Sequence, residues 1–307
     1  MTNVLVIGGG SIAEKHILNL IKLKFVVYSF TSNDNFLNDN KDIRKIKSID
    51  KVPNILFAII ANSTNKHLKY MEILAKKKIH IYCEKPIFHK AFNYLKLKNL
   101  ITKNNIHFFV GYQLLQDTKV KYIKEKLKKQ IIKSFIATVG HNYEVWRKNK
   151  PRKESYYNKT SLGGGVIFEL VHEINLIRNL IGDIEEIKSF KSQFNQDKCE
   201  LLAVSIIKTK NKILGTLYQD MLSKNLFRNL KIITNKVTYD IDFKKNIIFE
   251  NEKKILFKDN NSQIKLLEKN MCEFIQLIKK RKTNLSSYDA AVNDLKNCLL
   301  MHKSKVL

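Results

Sequence analysis

A glutamate and a lysine stand side by side at the end of a short apolar segment and could carry chemistry. The segment runs from Ile79 to Cys83 and is followed by Glu84, Lys85 and Pro86. Such a run is typical of a strand covered on both faces, and open α/β sheets bind ligands at the carboxyl ends of their strands. Because Pro86 keeps Lys85 out of the helical region, we expect an ammonium group held beside a carboxylate. A surface ion pair at a strand end is the alternative.

A glycine-rich turn near the N-terminus offers a place for a phosphate. A short apolar run leads into Gly8-x-Gly10-x-x-Ala13 and then into a helical pattern. Gly8 permits a tight turn, Gly10 lets the backbone approach a pyrophosphate, and Ala13 allows close helix–strand packing. The free N–H groups and the positive dipole end of the helix favour an anion there. The pattern predicts a dinucleotide site that includes Ser11 and Ile12.

The residues after the next strand should contact the ribose of such a dinucleotide. A strand over 25–30 is followed by Thr31, Ser32, Asn33 and Asp34. NAD-binding folds commonly place an acidic residue about 20 residues beyond the glycines, where it binds the ribose diol. No acid stands directly at this strand end, and no arginine follows to favour a 2′-phosphate. We expect Thr31 and Ser32 to bind the cofactor, which is NAD or NADP.

Alternating strand and helix patterns organise the first part of the chain. Units of this length predict a parallel sheet with right-handed crossovers. We therefore expect an α/β fold that begins with a doubly wound Rossmann domain over residues 1–118. Beyond the first two strands, the predicted elements are a strand at 54–62, a helix at 67–77, a strand at 79–83, a helix at 92–103 and a strand at 108–113.

The pattern changes after residue 120, where several strands with short turns replace the alternation. They predict an α+β domain over 119–307 with a large, mostly antiparallel open sheet, and a last helix able to pack back on the Rossmann domain. Its predicted elements are a helix at 120–128, a strand at 134–139, a helix at 166–181 after three glycines, several strands within 184–257 and helices at 263–280 and 287–303.

The charge of the chain is strongly positive. Lys and Arg number 56 against 28 Asp and Glu, a formal net charge of +28. Such a charge fits a polyanion partner, or codon bias with a solvated lysine surface. Lysines are spread over nearly every segment, and arginine, the usual residue for phosphate and base recognition, is scarce. We expect no specific nucleic-acid partner.

Cysteine spacing and hydropathy bound the remaining classes of protein. The four cysteines lie far apart without CxxC spacing, so we expect neither disulfides nor a metal site. No apolar run approaches the ~20 residues that span a bilayer. The first residues lack the pattern of a signal peptide. We expect a cytoplasmic protein without a membrane partner.

Several separated motifs together resemble the Gfo/Idh/MocA family of NAD(P)-dependent oxidoreductases, most of which oxidise or reduce sugars. The resemblance extends over essentially the whole chain and implies that Asn62, His67, Glu84, Lys85 and Gln113 also bind the cofactor. The motifs are Gly8 to Ala13 with His16, Asn62 to His67, Glu84-Lys85-Pro86, Val110-Gly111-Tyr112, Gly163-Gly164-Gly165 through His172-Glu173-Ile174-Asn175, and Ser287-Tyr288-Asp289-Ala290.

The resemblance also implies catalytic roles. Lys85 contacts nicotinamide and substrate, and His172 is the proton-transfer base, a role that suits the intrinsic pKa of histidine. A core histidine on an apolar helix is the alternative. The family usually has Asp where this chain has Asn175, and often has Asp near Phe168 and Glu169. We expect Glu169 to assist catalysis, Asn175 to contact the sugar, and Asn175→Asp to raise turnover or shift its pH optimum.

An aromatic segment could recognise a carbohydrate. Tyr143, Trp146, Arg147 and Tyr156 form either a sugar platform or ordinary packing between domains. Together the motifs resemble a subgroup found with bacterial surface-sugar biosynthesis. The resemblance implies hydride transfer to or from a sugar, sugar phosphate or nucleotide sugar, in a homodimer or homotetramer joined through the exposed sheet face. A catalytically weakened NAD(P)-binding sensor and, less favoured, a polyanion-binding protein are the alternatives.

Overall fold

The computed structural model describes residues 2–38, 40–142, 158–193, 199–258, 263–280 and 285–304. The chain divides into two compact units, each built from two separate stretches. The first consists of Met1–Gly111 and Asn270–Val292, and the second of Tyr112–Lys269 and Asn293–Leu307. The domain boundary after residue 118 stays a prediction.

The first unit contains a parallel sheet of six strands in the order β3-β2-β1-β4-β5-β6. The strand order reverses between β1 and β4, and this reversal opens a crevice at the carboxyl ends of the strands. The predicted doubly wound Rossmann fold is confirmed. Its strands are β1 Asn3–Ile7, β2 Val26–Phe30, β3 Ile43–Ile46, β4 Ile55–Ile60, β5 His80–Cys83 and β6 Phe108–Val110.

The helices of this sheet are α1 Ser11–Lys22, α2 His67–Lys76 and α3 Tyr94–Lys103. The buried face of α1 includes Ala13, His16, Ile17 and Leu20, at the spacing of a helix packed on a sheet. Helix α3 begins two residues later than predicted because the Asn93 side chain accepts a hydrogen bond from the Lys96 N–H and caps it.

The second unit contains a sheet of eight strands in the order β14-β13-β12-β11-β7-β10-β9-β8. Only β7 and β10 pair in parallel, so the prediction of a large, mostly antiparallel sheet is confirmed. Its strands are β7 Ile132–Gly140, β8 Ile184–Ser192, β9 Leu202–Thr209, β10 Leu214–Asp220, β11 Phe227–Thr234, β12 Thr238–Asp242, β13 Ile247–Glu250 and β14 Lys254–Lys258.

The predicted continuous helix over 166–181 is wrong, because the chain forms two helices with a break after Glu169. At the break, the carbonyl oxygen of Leu170 accepts a 2.8 Å hydrogen bond from the side-chain amide of Gln219, which is fully buried on β10. The same oxygen also accepts a 3.4 Å bond from the Glu173 N–H, three residues on, where a regular α-helix has a bond from the fourth residue. The helices after β6 are α4 Thr118–Leu127, α5 Val166–Glu169, α6 His172–Leu180, α7 Gln263–Lys279 and α8 Leu285–His302.

Hydropathy of the helices bears on membrane insertion. Within the described ranges, no helix is both long enough and apolar enough to cross a bilayer.

Candidate cofactor site and catalytic residues

The glycine turn after β1 packs directly against the end of β4. Gly8 has a φ of 142°, and a Cβ there would overlap the carbonyl oxygen of Ala61. Only glycine fits this close approach of two backbones. At Gly10, in contrast, a Cβ would meet nothing within 4 Å. Open space therefore lies against the backbone at Gly10.

Helix α1 begins at this open space. Gly10 is its N-cap, and no side chain caps the helix there. The first N–H groups of a helix have no partner inside the helix, and the positive end of its dipole lies with them. Phosphate groups bind at such ends. The turn with Ser11, Ile12 and Ala13 therefore fits the pyrophosphate of a dinucleotide.

The end of β2 lies beside the same turn. A Cβ on Gly9 would overlap Oγ1 of Thr31, so Thr31 lies against the glycine backbone. Thr31 Oγ1 also accepts a 3.1 Å hydrogen bond from the Asn33 N–H. Ser32 is exposed next to it. This strand end offers hydroxyl groups to a ribose, and the choice between NAD and NADP stays open.

His67 joins two loops at this edge of the sheet. Its Nε2 lies 3.1 Å from the Asn62 carbonyl oxygen, and its Nδ1 lies 3.0 Å from the Pro86 carbonyl oxygen. Burial lowers the pKa of His67 and favours the neutral ring, which can donate to only one of these oxygens. The geometry gives His67 a bridging position under the loops.

Asn62 retains a free acceptor at the edge. Its side-chain oxygen Oδ1 is buried and has no hydrogen-bond partner among the described residues. A buried polar atom of this kind calls for a partner, such as a ligand or water. Of the pair Asn62 and His67, Asn62 is thus the better placed to contact a cofactor.

Glu84 follows β5 and is buried. Its Oε1 lies 2.7 Å from Nε2 of His16 on α1, and its Oε2 accepts a 3.3 Å hydrogen bond from the Lys85 N–H. The Lys85–Pro86 peptide bond is cis. Lys85 itself is partly exposed at the edge. The carboxylate expected beside the lysine is therefore also bonded to α1. In the sequence, His16 stands out because it is a polar residue on the otherwise apolar face of α1.

His172 is the first residue of α6 and is buried. The break at Leu170 places it at a helix start, where the sequence had predicted a helix interior. Its ring packs edge-on against Tyr112, with ring centroids 6.0 Å apart. Glu169, at the end of α5, is also buried. These two predicted catalytic groups therefore flank one short helix break.

Asn175, one turn after His172, bonds to a buried carboxylate. Its Nδ2 donates to Oδ2 of Asp294 over 2.8 Å, and Arg178 donates to Oδ1 of the same group over 2.7 Å. Burial raises the pKa of Asp294, against the opposing effect of Arg178. Burial and then the Asp294 carboxylate raise the pKa of Tyr112. The Asn175 amide is thus engaged inside its unit, and its contact with a sugar stays a prediction.

The triple glycine before α5 has a packing reason. Gly165 has a φ of 106°, and a Cβ there would overlap the carboxylate of Glu200. The Val166 N–H donates to the Glu200 carbonyl oxygen over 3.0 Å. Glycine at 165 therefore lets the start of α5 dock on Glu200, a partner that local sequence patterns do not indicate.

The predicted site residues divide between the two units. The second unit contains Gln113, partly exposed at the start of a 3₁₀ helix, together with Glu169, His172 and Asn175. Tyr143, Trp146, Arg147 and Tyr156 lie outside the described residues. The first unit brings together, at the carboxyl edge of its sheet, Gly8, Gly10, Ser11, Ile12, Ala13, Thr31, Ser32, Asn62, His67, Glu84 and Lys85.

In the part of the chain that the structure describes, no group of three or more His, Cys, Asp or Glu side chains is arranged to hold a metal ion.

Sequence comparison addresses the first unit directly. Residues 2–112 match the sequence model of an oxidoreductase family with an NAD-binding Rossmann fold, Gfo/Idh/MocA. This part of the chain, about a third of its length, is similar to the Gfo/Idh/MocA family. The predicted resemblance is confirmed, and so is a nicotinamide dinucleotide as the cofactor type of the family.

Individual relatives are distant. The 2,7-anhydro-N-acetylneuraminate hydratase of Escherichia coli is 23% identical over 128 residues, which are 42% of this chain and 34% of the relative. The myo-inositol 2-dehydrogenase of Thermotoga maritima is 22% identical over 137 residues, 44% of this chain and 39% of the relative. The matches thus span little more than a third of either relative.

A solved structure extends the likeness of the fold to nearly the whole chain. Levoglucosan dehydrogenase in complex with NADH superposes with a TM-score of 0.85 over 98% of this chain and 95% of its own, at 14% identity. At this identity the likeness concerns the fold alone. The chain therefore shares its fold with levoglucosan dehydrogenase over nearly its whole length.

Proposed function

We propose that this protein is an NAD(P)-dependent oxidoreductase that transfers a hydride between nicotinamide and a carbinol or carbonyl carbon of a sugar, sugar phosphate or nucleotide sugar. The observation that carries the proposal is the carboxyl edge of the first unit. There an uncapped helix start faces open space at Gly10, and Glu84-Lys85-Pro86 stands within the residues that match the family.

Each group of the edge has a role in this proposal. Bound NAD or NADP supplies the redox chemistry. The backbone at Gly10 and the start of α1 hold a pyrophosphate, and Thr31 with Ser32 contacts a ribose. Lys85 orients the reacting oxygen of the substrate. His172 accepts the hydroxyl proton as the carbinol becomes a carbonyl.

The substrate class rests on the relatives and on charge. The names of the relatives refer to an anhydro-N-acetylneuraminate, myo-inositol and levoglucosan, which are polyhydroxylated rings. The net charge of +28 favours an anionic substrate through long-range attraction. Sugar phosphates and nucleotide sugars are therefore our first candidates, as intermediates of surface-carbohydrate synthesis.

Cofactor binding is tested first, by NADH fluorescence. In Gly10→Val the new side chain fills the open space without overlapping protein atoms, so we expect loss of NADH binding with an unchanged melting temperature. Lys22→Val, which puts the same side chain at the exposed far end of α1, is the control and should bind as the wild type does. Unchanged affinity in Gly10→Val would remove the dinucleotide proposal.

Turnover is tested with a panel of activated sugars. Positioned proton transfer contributes roughly 10²–10⁴-fold to a rate. We expect Lys85→Ala and His172→Ala each to lower kcat by at least about a hundredfold, and the double variant by less than the product. Lys90→Ala, on an exposed lysine five residues from Lys85, is the control. Near-normal turnover in both alanine variants would eliminate these roles.

A sensor that binds NAD(P) without turnover remains the second candidate. The observation that favours it is the hydrogen bond from Asn175 to Asp294, since an amide engaged in this way cannot accept a proton. If the wild type binds NADH tightly but turns over no sugar in the whole panel, the sensor proposal is favoured over the enzyme proposal.

We also propose that the second unit forms a homodimer or homotetramer through its sheet. Thr216 on β10 pairs with Ile136 on one side and Ile206 on the other, and directly paired residues point to the same face. That face carries exposed apolar side chains, which favour burial by a partner. They are Ile136, Phe190, Val204, Ile206 and Leu214.

Sedimentation velocity tests the assembly. Ile206→Lys should give a monomer, whereas Leu95→Lys, on the exposed side of α3 in the first unit, should leave the oligomer unchanged. A monomeric wild type would refute the proposed interface.

A further inference from the structure

His16 is a fully buried polar residue on the helix that begins the cofactor turn. Its Nε2 lies 2.7 Å from Oε1 of Glu84, across 68 residues of sequence. A carboxylate oxygen only accepts hydrogen bonds, so Nε2 carries the proton and donates. Nδ1, the other ring nitrogen, is buried with no partner among the described residues. Among the described residues, the hydrogen bond that orients the His16 ring is thus the one to Glu84.

Glu84 uses its two oxygens on two different elements. Oε1 accepts from His16 on α1, while Oε2 accepts from the backbone N–H of Lys85. A carboxylate held at both oxygens has little freedom to rotate. It therefore fixes the backbone of Lys85 with respect to the body of α1.

The walls around this pair leave it little room to move. The ring of Tyr82 packs edge-on against His16, with centroids 5.1 Å apart. A Cβ on Gly111 would lie 3.0 Å from both Glu84 Oε1 and the Tyr82 hydroxyl oxygen. Glycine at 111 therefore makes space for the carboxylate, and any larger residue would press on it.

Stability alone does not explain such a pair. Taking a histidine and a carboxylate out of water costs free energy, and apolar residues of similar volume often replace a buried polar pair without loss. The geometry accounts for the pair in another way, because it connects the two ends of one ligand site. In the proposed function, the start of α1 would hold the pyrophosphate and Lys85 would contact the nicotinamide end.

We propose that His16 is a positioning residue: through Glu84 it sets the place of Lys85 relative to the start of α1, and so the alignment of nicotinamide. The inference rests on the proposed function, because it takes Lys85 as the nicotinamide contact. It also assigns to Glu84 a positioning role in place of the direct cofactor contact predicted from the sequence.

The experiment compares two ligands that share the pyrophosphate. NADH carries nicotinamide and ADP-ribose does not, so misplacement of Lys85 should affect only NADH. Reactive groups displaced by about 1 Å can lose about 10²-fold in rate. We expect His16→Leu to weaken the binding of NADH roughly tenfold relative to that of ADP-ribose. It should also lower kcat more than it changes KM for the sugar.

Rescue and control variants separate positioning from folding. Gln can donate from about the position of Nε2, so His16→Gln should restore most of the NADH preference. Gly111→Ala, which presses on Glu84 and leaves His16 in place, should reproduce the loss. His80→Leu, on the histidine at the opposite end of β5, should change only the melting temperature.

The outcomes decide the inference. A selective loss for NADH in His16→Leu and Gly111→Ala, reversed in His16→Gln, supports it. Three results would overturn the inference while leaving the cofactor site in place. They are an equal loss of affinity for NADH and ADP-ribose, no loss of affinity for either, or the same selective loss in His80→Leu. A wild type that binds neither ligand removes the proposed function itself, and the inference with it.

Discussion

Two buried carboxylates, Glu84 in the first unit and Asp294 in the second, each contact a predicted site residue but have different partners. Glu84 is held by a histidine and by the backbone N–H of Lys85, whereas Asp294 is held by the Arg178 guanidinium and the Asn175 amide. Arginine stays charged under all ordinary conditions, so loss of Asp294 leaves the largely buried Arg178 with the more exposed Asp183 as its ionic partner. The difference indicates that Asp294 serves mainly the stability of its unit and Glu84 mainly orientation.

Neutralising Asp294 should give the largest effect. Asp294→Asn leaves Arg178 largely buried without this partner, and breaking a buried ion pair costs roughly 3–5 kcal/mol. Urea unfolding measures the loss. Asp289→Asn, on the same helix α8 in a half-exposed pair with Lys98, should cost less than about 1 kcal/mol. Equal losses in the two variants would break the distinction between the carboxylates.

Asn175→Asp comes next and changes the expectation drawn from the sequence. The new carboxylate would stand about 2.8 Å from Asp294 Oδ2, where like charges raise a carboxyl pKa. We expect a destabilisation of roughly 1–3 kcal/mol at neutral pH, in place of raised turnover. Because the folded-state pKa is raised, the variant should recover stability as the pH falls. Melting temperatures across pH, compared with Asn179→Asp on the same helix, check this.

Glu84→Gln sharpens the comparison from the other side. The neutral side chain keeps its shape and one acceptor, so the unfolding free energy should fall by only roughly 1–2 kcal/mol. In Glu84→Gln, turnover and the binding preference for NADH over ADP-ribose should both fall more than they do in Asp294→Asn. If instead Glu84→Gln unfolds the protein while its activity per folded molecule is normal, Glu84 is structural and the two carboxylates are alike.

The smallest effect concerns a histidine with a different partner. Burial, and then the neighbouring His107, lower the pKa of His80 to about 4, and its Nδ1 accepts from the His107 N–H over 3.0 Å. Unfolding restores a pKa of about 6.5, so His80 costs stability as the pH falls below that value.

His80→Asn keeps an acceptor near Nδ1 and removes the titration. Between about pH 7 and about pH 5, the unfolding free energy of His80→Asn should fall by about 1 kcal/mol less than that of the wild type. The difference is no larger because His80 is partly exposed. Unfolding free energies at both pH values measure this. If His80→Asn loses as much unfolding free energy on acidification as the wild type does, other groups cause that loss.

Local constraints explain what the sequence predicted well. The spacing of Gly8 and Gly10 between β1 and α1 is contained in one βα unit, and the apolar runs of β1, β4 and β5 are long enough to recognise. Strand β3 was missed because its four residues are polar or half-exposed at the sheet edge.

The partners that define the candidate site come from far along the chain. His16 and Glu84 are 68 residues apart, and Asn175 and Asp294 are 119 apart. At the helix break, the Leu170 carbonyl accepts a hydrogen bond from Gln219, which lies on a strand 49 residues later. No local periodicity encodes such pairs. The sequence therefore predicts candidate site residues but not their hydrogen-bond partners.

The first unit has a consequence for synthesis of the chain. Phe274 of α7 packs on Phe57 and Tyr82, with ring centroids 5.3 Å and 5.7 Å away. This helix segment begins at Asn270, whereas the rest of the unit ends at Gly111. At translation speeds of about 5–20 residues per second, the ribosome needs roughly 8–30 s to make the intervening chain. During that interval the nascent Rossmann sheet presents an aromatic face that chaperones can bind.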